Sequence, residues 1–270
     1  MISFKDYLKH EQTLSEEYLE EKLILFNQGK KYGQIVFLAG GAGSGKGFAI
    51  KNFIEKEKFK IRDVDEWKTS FLKLSELTDK YPDIKGLDLK NPQDVFRLHK
   101  FVAELNIKEK SLANLLKDLK ETHLPNIIFD ITLKDMTDLV NITNKLVAVG
   151  YNPKDIHIVW VLTDYQVAIK ANQARDRVVP NDIMFQTHTG AAKSMWNIIH
   201  GAYPTNVDGS IYVILNNREN TVYYDEKKTV IKDFTYITVK SPGKSITTDA
   251  DVKKQLFDWI YKNTPMFLEK

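Results

Sequence analysis

Short apolar runs alternate with segments of helical spacing along most of this 270-residue chain. Runs that are nearly continuous in apolar residues are typical of strands buried on both faces of a parallel sheet. Five such runs lie at residues 34–39, 59–64, 126–131, 156–162 and 211–215. Segments with apolar residues three or four positions apart separate most of them, and that spacing predicts helices. Strands that alternate with helices predict an α/β fold.

Three segments depart from this alternation. Residues 1–30 carry apolar side chains mostly at three- and four-residue steps, which predicts a leader of one or two amphipathic helices packed on the core. Residues 70–123 are rich in Lys and Leu and lack strand patterns, so we expect a helical insertion within a main domain at 31–270. Beyond the fifth run, residues 217–220 separate two strand-like runs, which predicts a β-hairpin, and a final helix is expected from about Asp249.

Composition and charge exclude several classes of protein. With 43% hydrophobic and 28% charged residues, the chain has the balance of an ordinary globular protein. A net charge of +3 tolerates a phosphate-rich ligand but selects no partner. The lack of cysteine excludes disulfides, a thiolate nucleophile and a thiolate zinc site. The sequence has neither an apolar signal core nor an apolar run of about 20 residues, so we expect a cytoplasmic protein without a membrane partner.

The most specific motif is a glycine-rich loop between the first strand-like run and a segment of helical spacing. It consists of Gly40, Gly41, Ala42, Gly43, Ser44, Gly45, Lys46 and Gly47. In such a phosphate loop, backbone N–H groups surround the phosphates, and the lysine reaches the β- and γ-phosphates. The loop predicts nucleoside triphosphate binding. Gly47 replaces the usual Ser or Thr ligand of Mg²⁺, so the metal would depend more on water and on downstream carboxylates.

Three further segments follow the loop in order. The second run ends in two aspartates, the third ends in an aspartate followed closely by a threonine, and residues 171–180 contain two arginines. These residues are Asp63, Asp65, Asp130, Thr132, Arg175 and Arg177. Over residues 34–217, the loop and these segments resemble P-loop kinases of the zeta-toxin and polynucleotide-kinase type. The resemblance implies a three-layer sandwich with a mostly parallel sheet, ATP and Mg²⁺ as cofactors, and transfer of the γ-phosphate to a hydroxyl acceptor.

The same resemblance gives the acidic residues their roles. Asp65, with or without Asp63, approaches the acceptor hydroxyl as general base. Asp130 leaves an apolar strand near the phosphates, where it binds Mg²⁺ directly or through water, or positions the acceptor. A helix cap or a turn is the alternative role for Asp130. Thr132 lies two residues further on and is assigned with Asp130 to acceptor binding.

Residues 164–190 resemble the lid of these kinases, where arginines close over the transferring phosphoryl group. Guanidinium suits this task because its charge is fixed and its planar donors match phosphate oxygens. Arg175 and Arg177 are the candidates, and alternating residues share a side only in an extended segment. Asn217 and Arg218 stand where such kinases contact adenine, although a hairpin turn explains the same residues equally well.

The acceptor is open among sugar nucleotides, small metabolites, nucleic-acid ends and hydroxymethylated bases. The lysine-rich sequence resembles those of proteins from large tailed phages. We therefore expect the acceptor to be a hydroxymethylated pyrimidine in phage DNA, and the protein to act in the host cytoplasm. The lysines that would contact DNA are those of the insertion and Lys227, Lys228, Lys232, Lys240 and Lys244. The alternatives are a zeta-toxin-like kinase of small molecules or sugar nucleotides, a P-loop ATPase or switch module, and a nucleotide-binding protein without turnover.

Overall fold

The computed structural model describes residues 32–54, 59–117, 119, 123–217, 221–224, 228–231 and 236–267. The leader expected at residues 1–30 lies outside these residues, and so does Arg218. Within the described part of the chain, no helix is both long and apolar enough to cross a bilayer.

A six-stranded sheet forms the centre of the molecule, in the order β2-β3-β1-β4-β5-β8. The first five of these strands are parallel, and β8 runs antiparallel to β5. Two further strands, β6 and β7, pair with each other as an antiparallel hairpin. The strands are β1 (Ile35–Ala39), β2 (Lys60–Asp63), β3 (Ile127–Asp130), β4 (Ile156–Leu162), β5 (Ile211–Leu215), β6 (Thr221–Tyr224), β7 (Lys228–Ile231) and β8 (Tyr236–Lys240).

Eight α-helices accompany the strands in the described residues. Several begin at an Asp or Asn whose side chain accepts a backbone N–H of the first turn, which satisfies donors that the helix itself cannot pair. The helices are α1 (Lys46–Phe53), α2 (Val64–Leu77), α3 (Pro92–Glu104), α4 (Ile107–Lys117), α5 (Thr137–Ala148), α6 (Tyr165–Gln173), α7 (Asn181–Ile199) and α8 (Ala250–Asn263).

The hydrophobic core lies on both faces of the sheet. Side chains alternate between the two faces along a strand, so Phe37 and Trp160 belong to one cluster while Leu38 and Val161 belong to the other. Phe37 stacks on Phe129 of the neighbouring strand, with ring centroids 5.1 Å apart. A third, smaller cluster joins the helices of the insertion. The α/β fold with a mostly parallel sheet, predicted from the apolar runs, is confirmed.

Two boundaries differ from the prediction. Helix α2 begins at Val64, directly after β2, so helical structure starts before residue 70, where the insertion was predicted to begin. The hairpin also lies one strand further on: β5 does not pair with β6, because β4 and β8 already occupy both of its edges. The hairpin of the described residues is therefore formed by β6 and β7, and not by β5 and β6.

Candidate active site

The glycine-rich loop connects the central strand β1 to helix α1. Gly43 and Gly45 have φ values of 75° and 86°, a left-handed region that side chains with a Cβ rarely adopt. A Cβ on Gly43 would lie 2.6 Å from the carbonyl oxygen of Ala168, and one on Gly45 would lie 2.1 Å from Nδ2 of Asn216. These glycines are needed both for the turn and for close packing against α6 and the end of β5.

Residues at the ends of two neighbouring strands hold the loop. The carbonyl oxygen of Ser44 accepts hydrogen bonds from Oγ1 of Thr163 at 2.7 Å and from Nδ2 of Asn216 at 2.8 Å. Thr163 follows β4 and Asn216 follows β5, so parallel strands bring both to the carboxyl edge of the sheet. Neither residue belongs to a recognisable motif, although the position of each directly after an apolar run was a usable signal.

Helix α7 holds the loop from another side. Nε2 of His188 lies 2.8 Å from the carbonyl oxygen of Ala42, and the backbone N–H of Ala42 donates to Oγ1 of Thr187 over 3.4 Å. Burial and the charge of Lys46 lower the pKa of His188, so its imidazole is neutral at pH 7. The sequence carries no motif that marks His188.

Lys46 and Asp130 meet beside the loop. Nζ of Lys46 lies 3.0 Å from the carbonyl oxygen of Gly40 and 3.6 Å from Oδ1 of Asp130. Burial raises the pKa of Asp130 to about 6, and the charges of Asp63 and Asp65 add to the rise while Lys46 opposes it. Adjacent parallel strands bring the pair together, because β3 ends at Asp130 beside Leu38 of β1.

Asp65 lies in the first turn of α2 between two cations. Its carboxylate accepts from Nζ of Lys68 at 2.7 Å and from the guanidinium of Arg177. Burial alone would raise the pKa of Asp65, but Lys68 and Arg177 outweigh it and hold the pKa well below its ordinary value. Oδ1 of Asp63 accepts the backbone N–H of Asp65 at 2.7 Å and so caps α2.

The two lid arginines differ in position. Arg177 is largely buried and reaches Asp65, whereas Arg175 is exposed in the turn after α6. Hydrogen bonds to the insertion and to α6 hold the segment that carries them. The backbone N–H of Val178 donates to the carbonyl of Leu89 in the insertion, at 2.9 Å. The side chain of Asn172 pairs with both backbone groups of Val179. The lid therefore contacts the insertion across the cleft that contains Asp65.

Further basic side chains surround this cleft. His99 of α3 has a lowered pKa, mainly through burial and then through the charges of Lys68, Lys134 and Arg177, against the effect of Asp65. All four of these charged groups therefore lie close enough to act on His99. Lys46, Lys68, Lys134 and Arg177 form a positive rim beside the three carboxylates of Asp63, Asp65 and Asp130, and such a rim attracts anionic ligands.

The remaining predicted residues have a less direct relation to the cleft. Asn217 is buried, accepts the backbone N–H of Asp164 at 2.8 Å and donates to Oδ1 of Asn263 at 3.0 Å. It joins the end of β5 to α6 and α8. Its contact with adenine stays a prediction, as does the role of Thr132, which is half-buried after β3.

The loop region offers one carboxylate suited to a magnesium ion. Among the described residues, no three His, Asp or Glu side chains form a preformed metal site. Asp130 lies near Lys46, and Gly47 provides no hydroxyl. Magnesium commonly takes one or two carboxylates together with substrate phosphates and water. The donor set therefore fits a metal that enters with the nucleotide, and Asp130 is the residue that would hold it.

Comparison with known proteins gives this geometry a family. The sequence model described as "Zeta toxin" matches residues 16–229, more than three quarters of the chain. The chain belongs to the zeta toxin family. The enzyme is therefore an ATP-dependent phosphotransferase of the P-loop kinase type. No curated protein sequence matches the chain.

Several solved structures resemble this zeta toxin family member. A structure of the PezAT toxin-antitoxin system of Streptococcus pneumoniae matches with a TM-score of 0.44 and 15% identity, over 92% of this chain and 96% of that one. The AvrRxo1-ORF1:AvrRxo1-ORF2 structure with sulphate ions matches with a TM-score of 0.48 and 10% identity, over 97% and 73%. Deoxyadenosine kinase from M. mycoides with bound dATP matches with a TM-score of 0.36 and 15% identity, over 69% and 92%.

Proposed function

We propose that this zeta toxin family member transfers the γ-phosphate of Mg²⁺-ATP to a hydroxyl of a small anionic acceptor, of the sugar-nucleotide class. One observation carries the proposal: Asp65, the carboxylate assigned to the acceptor, pairs with Lys68 and Arg177 in the cleft next to the phosphate loop, and Lys134 acts with them on the neighbouring His99. A positive rim of this kind suits an acceptor that carries its own phosphates.

In the proposed reaction, the acceptor hydroxyl donates a hydrogen bond to Asp65. Its oxygen forms a bond to the γ-phosphorus while the bond from that phosphorus to the β,γ-bridging oxygen breaks, and ADP leaves. The hydroxyl proton passes to Asp65. Lys46 and Arg177 neutralise charge on the transferring group, and Mg²⁺, when bound through Asp130, neutralises charge on the phosphates. Arg177 must exchange Asp65 for a phosphate oxygen, which frees Asp65 to accept the proton.

The competing acceptor is a hydroxymethylated pyrimidine in phage DNA. The lysines invoked for that acceptor give it little support among the described residues. Lys240 is fully buried, and its Nζ pairs with Asp208 at 2.8 Å. Its place beside Ile211, the first residue of β5, lies at the amino-terminal edge of the parallel strands, opposite the phosphate loop. Lys244 follows in the loop beyond the same end of β8. We therefore favour the small anionic acceptor.

Labelled ATP tests the proposal against both acceptors. The protein is incubated with γ-labelled ATP and Mg²⁺, together with a panel of sugar nucleotides, with hydroxymethylated DNA or with no acceptor. We expect label on a sugar nucleotide, and a loss of about 100-fold or more in Lys46→Ala and Asp65→Asn, as general-base and phosphate-clamp losses usually give.

Other outcomes of this experiment would favour one of the alternative functions. Label on hydroxymethylated DNA that weakens steeply with salt would favour the phage acceptor, because phosphate contacts release counterions. Phosphate release without a labelled acceptor, stimulated by a protein partner, would favour the ATPase or switch module. Full transfer by Asp65→Asn would overturn the assignment of the base.

A further inference from the structure

The imidazole of His188 lies directly against the tip of the phosphate loop. Its Nε2 is 2.8 Å from the carbonyl oxygen of Ala42. A carbonyl can only accept a hydrogen bond, so Nε2 carries the proton and donates it. The ring also covers Gly41: a Cβ at this position would lie 2.3 Å from Cδ2 and 2.5 Å from Nε2 of His188. The loop tip and the ring are therefore complementary in both hydrogen bonding and shape.

Neighbouring side chains fix the orientation of His188. Tyr165 of α6 packs against the imidazole edge-to-face, with ring centroids 5.3 Å apart, and Phe185 packs against Tyr165 in turn. On the same helix as His188, Thr187 accepts the N–H of Ala42 and donates to the carbonyl of Met184. Both backbone groups of Ala42 are thus bound by consecutive residues of α7.

A fixed loop tip matters for phosphate binding in two ways. A carbonyl oxygen that turned toward the phosphates would repel them, and the hydrogen bond from His188 directs the Ala42 carbonyl elsewhere. A glycine-rich loop also has many accessible backbone conformations, and ordering it on binding would weaken affinity. A loop that is already ordered avoids this loss.

We propose that His188 is a positioning residue for the triphosphate of ATP, which acts by holding the Ala42 carbonyl and so fixes the phosphate loop in its binding conformation. His188 acts through the loop and needs no contact with the nucleotide itself. The proposal deepens the phosphotransfer function proposed above. Its test measures ATP binding without any acceptor, so an error in the acceptor would not affect the result.

The first experiment compares three variants of α7 by titration with Mg²⁺-ATP. His188→Ala removes the donor, and we expect its Kd for ATP to rise about 10-fold or more, as the loss of a buried hydrogen bond usually gives. His188→Gln can place an amide N–H near the position of Nε2, and we expect it to restore affinity to within about 3-fold of the natural protein. Thr189→Ala is the matched control, because Thr189 is the next residue on α7 and its buried Oγ1 has no hydrogen-bond partner.

Steady-state kinetics separate positioning from a general loss of structure. In His188→Ala, we expect a higher KM for ATP with kcat within about 3-fold of the natural protein, because the residue does not touch the reacting atoms. Unchanged ATP affinity in a folded His188→Ala variant would overturn the proposal. So would equal losses in His188→Ala and His188→Gln.

A second experiment tests the steric fit between Gly41 and the His188 ring. Gly41→Ala brings its Cβ into the His188 ring, so we expect it to weaken ATP binding about 10-fold or more in the natural background. In a His188→Ala background the new Cβ of residue 41 no longer meets the ring. We therefore expect Gly41→Ala to raise the Kd for ATP by about 3-fold or less in that background. Equal costs in the two backgrounds would contradict a direct coupling between α7 and the loop tip. If the double variant does not fold, as judged by its melting transition, Gly41→Ser with His188→Gly makes the same comparison.

Discussion

Arg177 and Asp65 are assigned to one reaction, yet in this structure they bind each other. The guanidinium holds the carboxylate that is to accept the proton, and the two side chains come from the lid and from α2. Because an ion pair favours the charged forms of both partners, it keeps Asp65 ionised before the acceptor arrives. In the proposed reaction, Arg177 therefore has two effects, on the charge of the transferring phosphoryl group and on the basicity of Asp65.

Arg177→Gln is expected to lower kcat/KM by about 100-fold or more, through lost charge neutralisation. It is also expected to shift the acidic limb of the pH profile to higher pH. The sign follows from Asp65: Arg177 helps to hold its pKa low, so removing Arg177 raises that pKa, and the ionised form is lost at higher pH. The profiles of kcat/KM run from pH 8 down to the lowest pH at which both proteins stay folded, and the shift is measured on the limb below that of Asp130, whose pKa is about 6. Arg175→Gln is the control, since this exposed neighbour does not reach Asp65, and an equal shift in both variants would argue against the ion pair.

His157 determines part of the stability at acidic pH. It is fully buried, with Nε2 donating to Oε1 of Gln34 and Nδ1 accepting the N–H of Ser210, both at 2.8 Å. Burial, aided by Lys240 and opposed by Asp155, lowers the pKa of His157 from 6.5 to about 4. The unfolded chain therefore binds a proton below pH 6.5 that the folded chain excludes until about pH 4.

The free energy of unfolding is thus expected to fall by about 3 kcal/mol from this residue alone as the pH drops from 6.5 to 4. Denaturant titrations at several pH values measure the slope. His157→Gln is less stable at neutral pH but removes this titration, so its slope over the same interval is expected to be smaller. Parallel slopes in the two proteins would exclude His157 as the cause.

At the scale of single elements, the start of α2 shows how a cap serves the site. Asp63 ends β2, caps α2 and accepts the backbone N–H of Asp65. The sequence assigned Asp63 to the acceptor, and its observed hydrogen bond gives it a role in orienting the turn that carries Asp65.

Two substitutions separate these roles. Asp63→Ala removes the cap and is expected to lower the free energy of unfolding by about 1 kcal/mol, with a fall in kcat/KM. Asp63→Asn keeps an oxygen that can accept the same N–H, so we expect stability and kcat/KM close to those of the natural protein. A severe loss of activity in Asp63→Asn, at unchanged stability, would show that the acceptor needs the negative charge itself.

Elements were more predictable than the contacts between them. The strands were evident because a buried parallel strand is apolar at nearly every position, and the loop was evident because its glycines are closely spaced in sequence. Thr163, Asn216 and His188 belong to the site only because the sheet order and the path of α7 bring them to the loop. No local pattern records such a distant contact, and this explains why His188 escaped the sequence analysis.

At the scale of the whole molecule, the carboxyl-terminal and amino-terminal ends of the parallel strands have different roles. The carboxyl edge carries the phosphate loop, Asp130 and the residues after β4 and β5, because β1 lies between β3 and β4, where the strand order reverses. The opposite edge carries the pair of Lys240 and Asp208, with Lys240 fully buried.

Asp208→Asn leaves the Lys240 ammonium buried without its charged partner. The Asp208 side chain is 33% exposed, and the carbonyl oxygens of Asp208 and Gly209 also accept from the ammonium. We therefore expect the free energy of unfolding to fall by about 1–2 kcal/mol, less than for a fully buried ion pair. Because the pair lies at the edge away from the loop, the KM for ATP is expected to stay within about 2-fold of the natural value. Chemical denaturation and steady-state assays at moderate temperature test the two parts. A large change in KM at unchanged stability would place Lys240 in the catalytic machinery.

Strand β2 forms one lateral margin of the sheet. A marginal strand displays unpaired N–H and C=O groups, which can recruit a strand from another molecule and start aggregation. Here the strand has only four residues, Lys60 is exposed, and the guanidinium of Arg62 binds the carbonyl of Lys108 and Oγ of Ser111 beside α4. Short length, charge and a covering helix are the features that resist such pairing. The brief strand that leads into the turn with Asp63 and Asp65 therefore also resists pairing with a strand of another molecule at this margin.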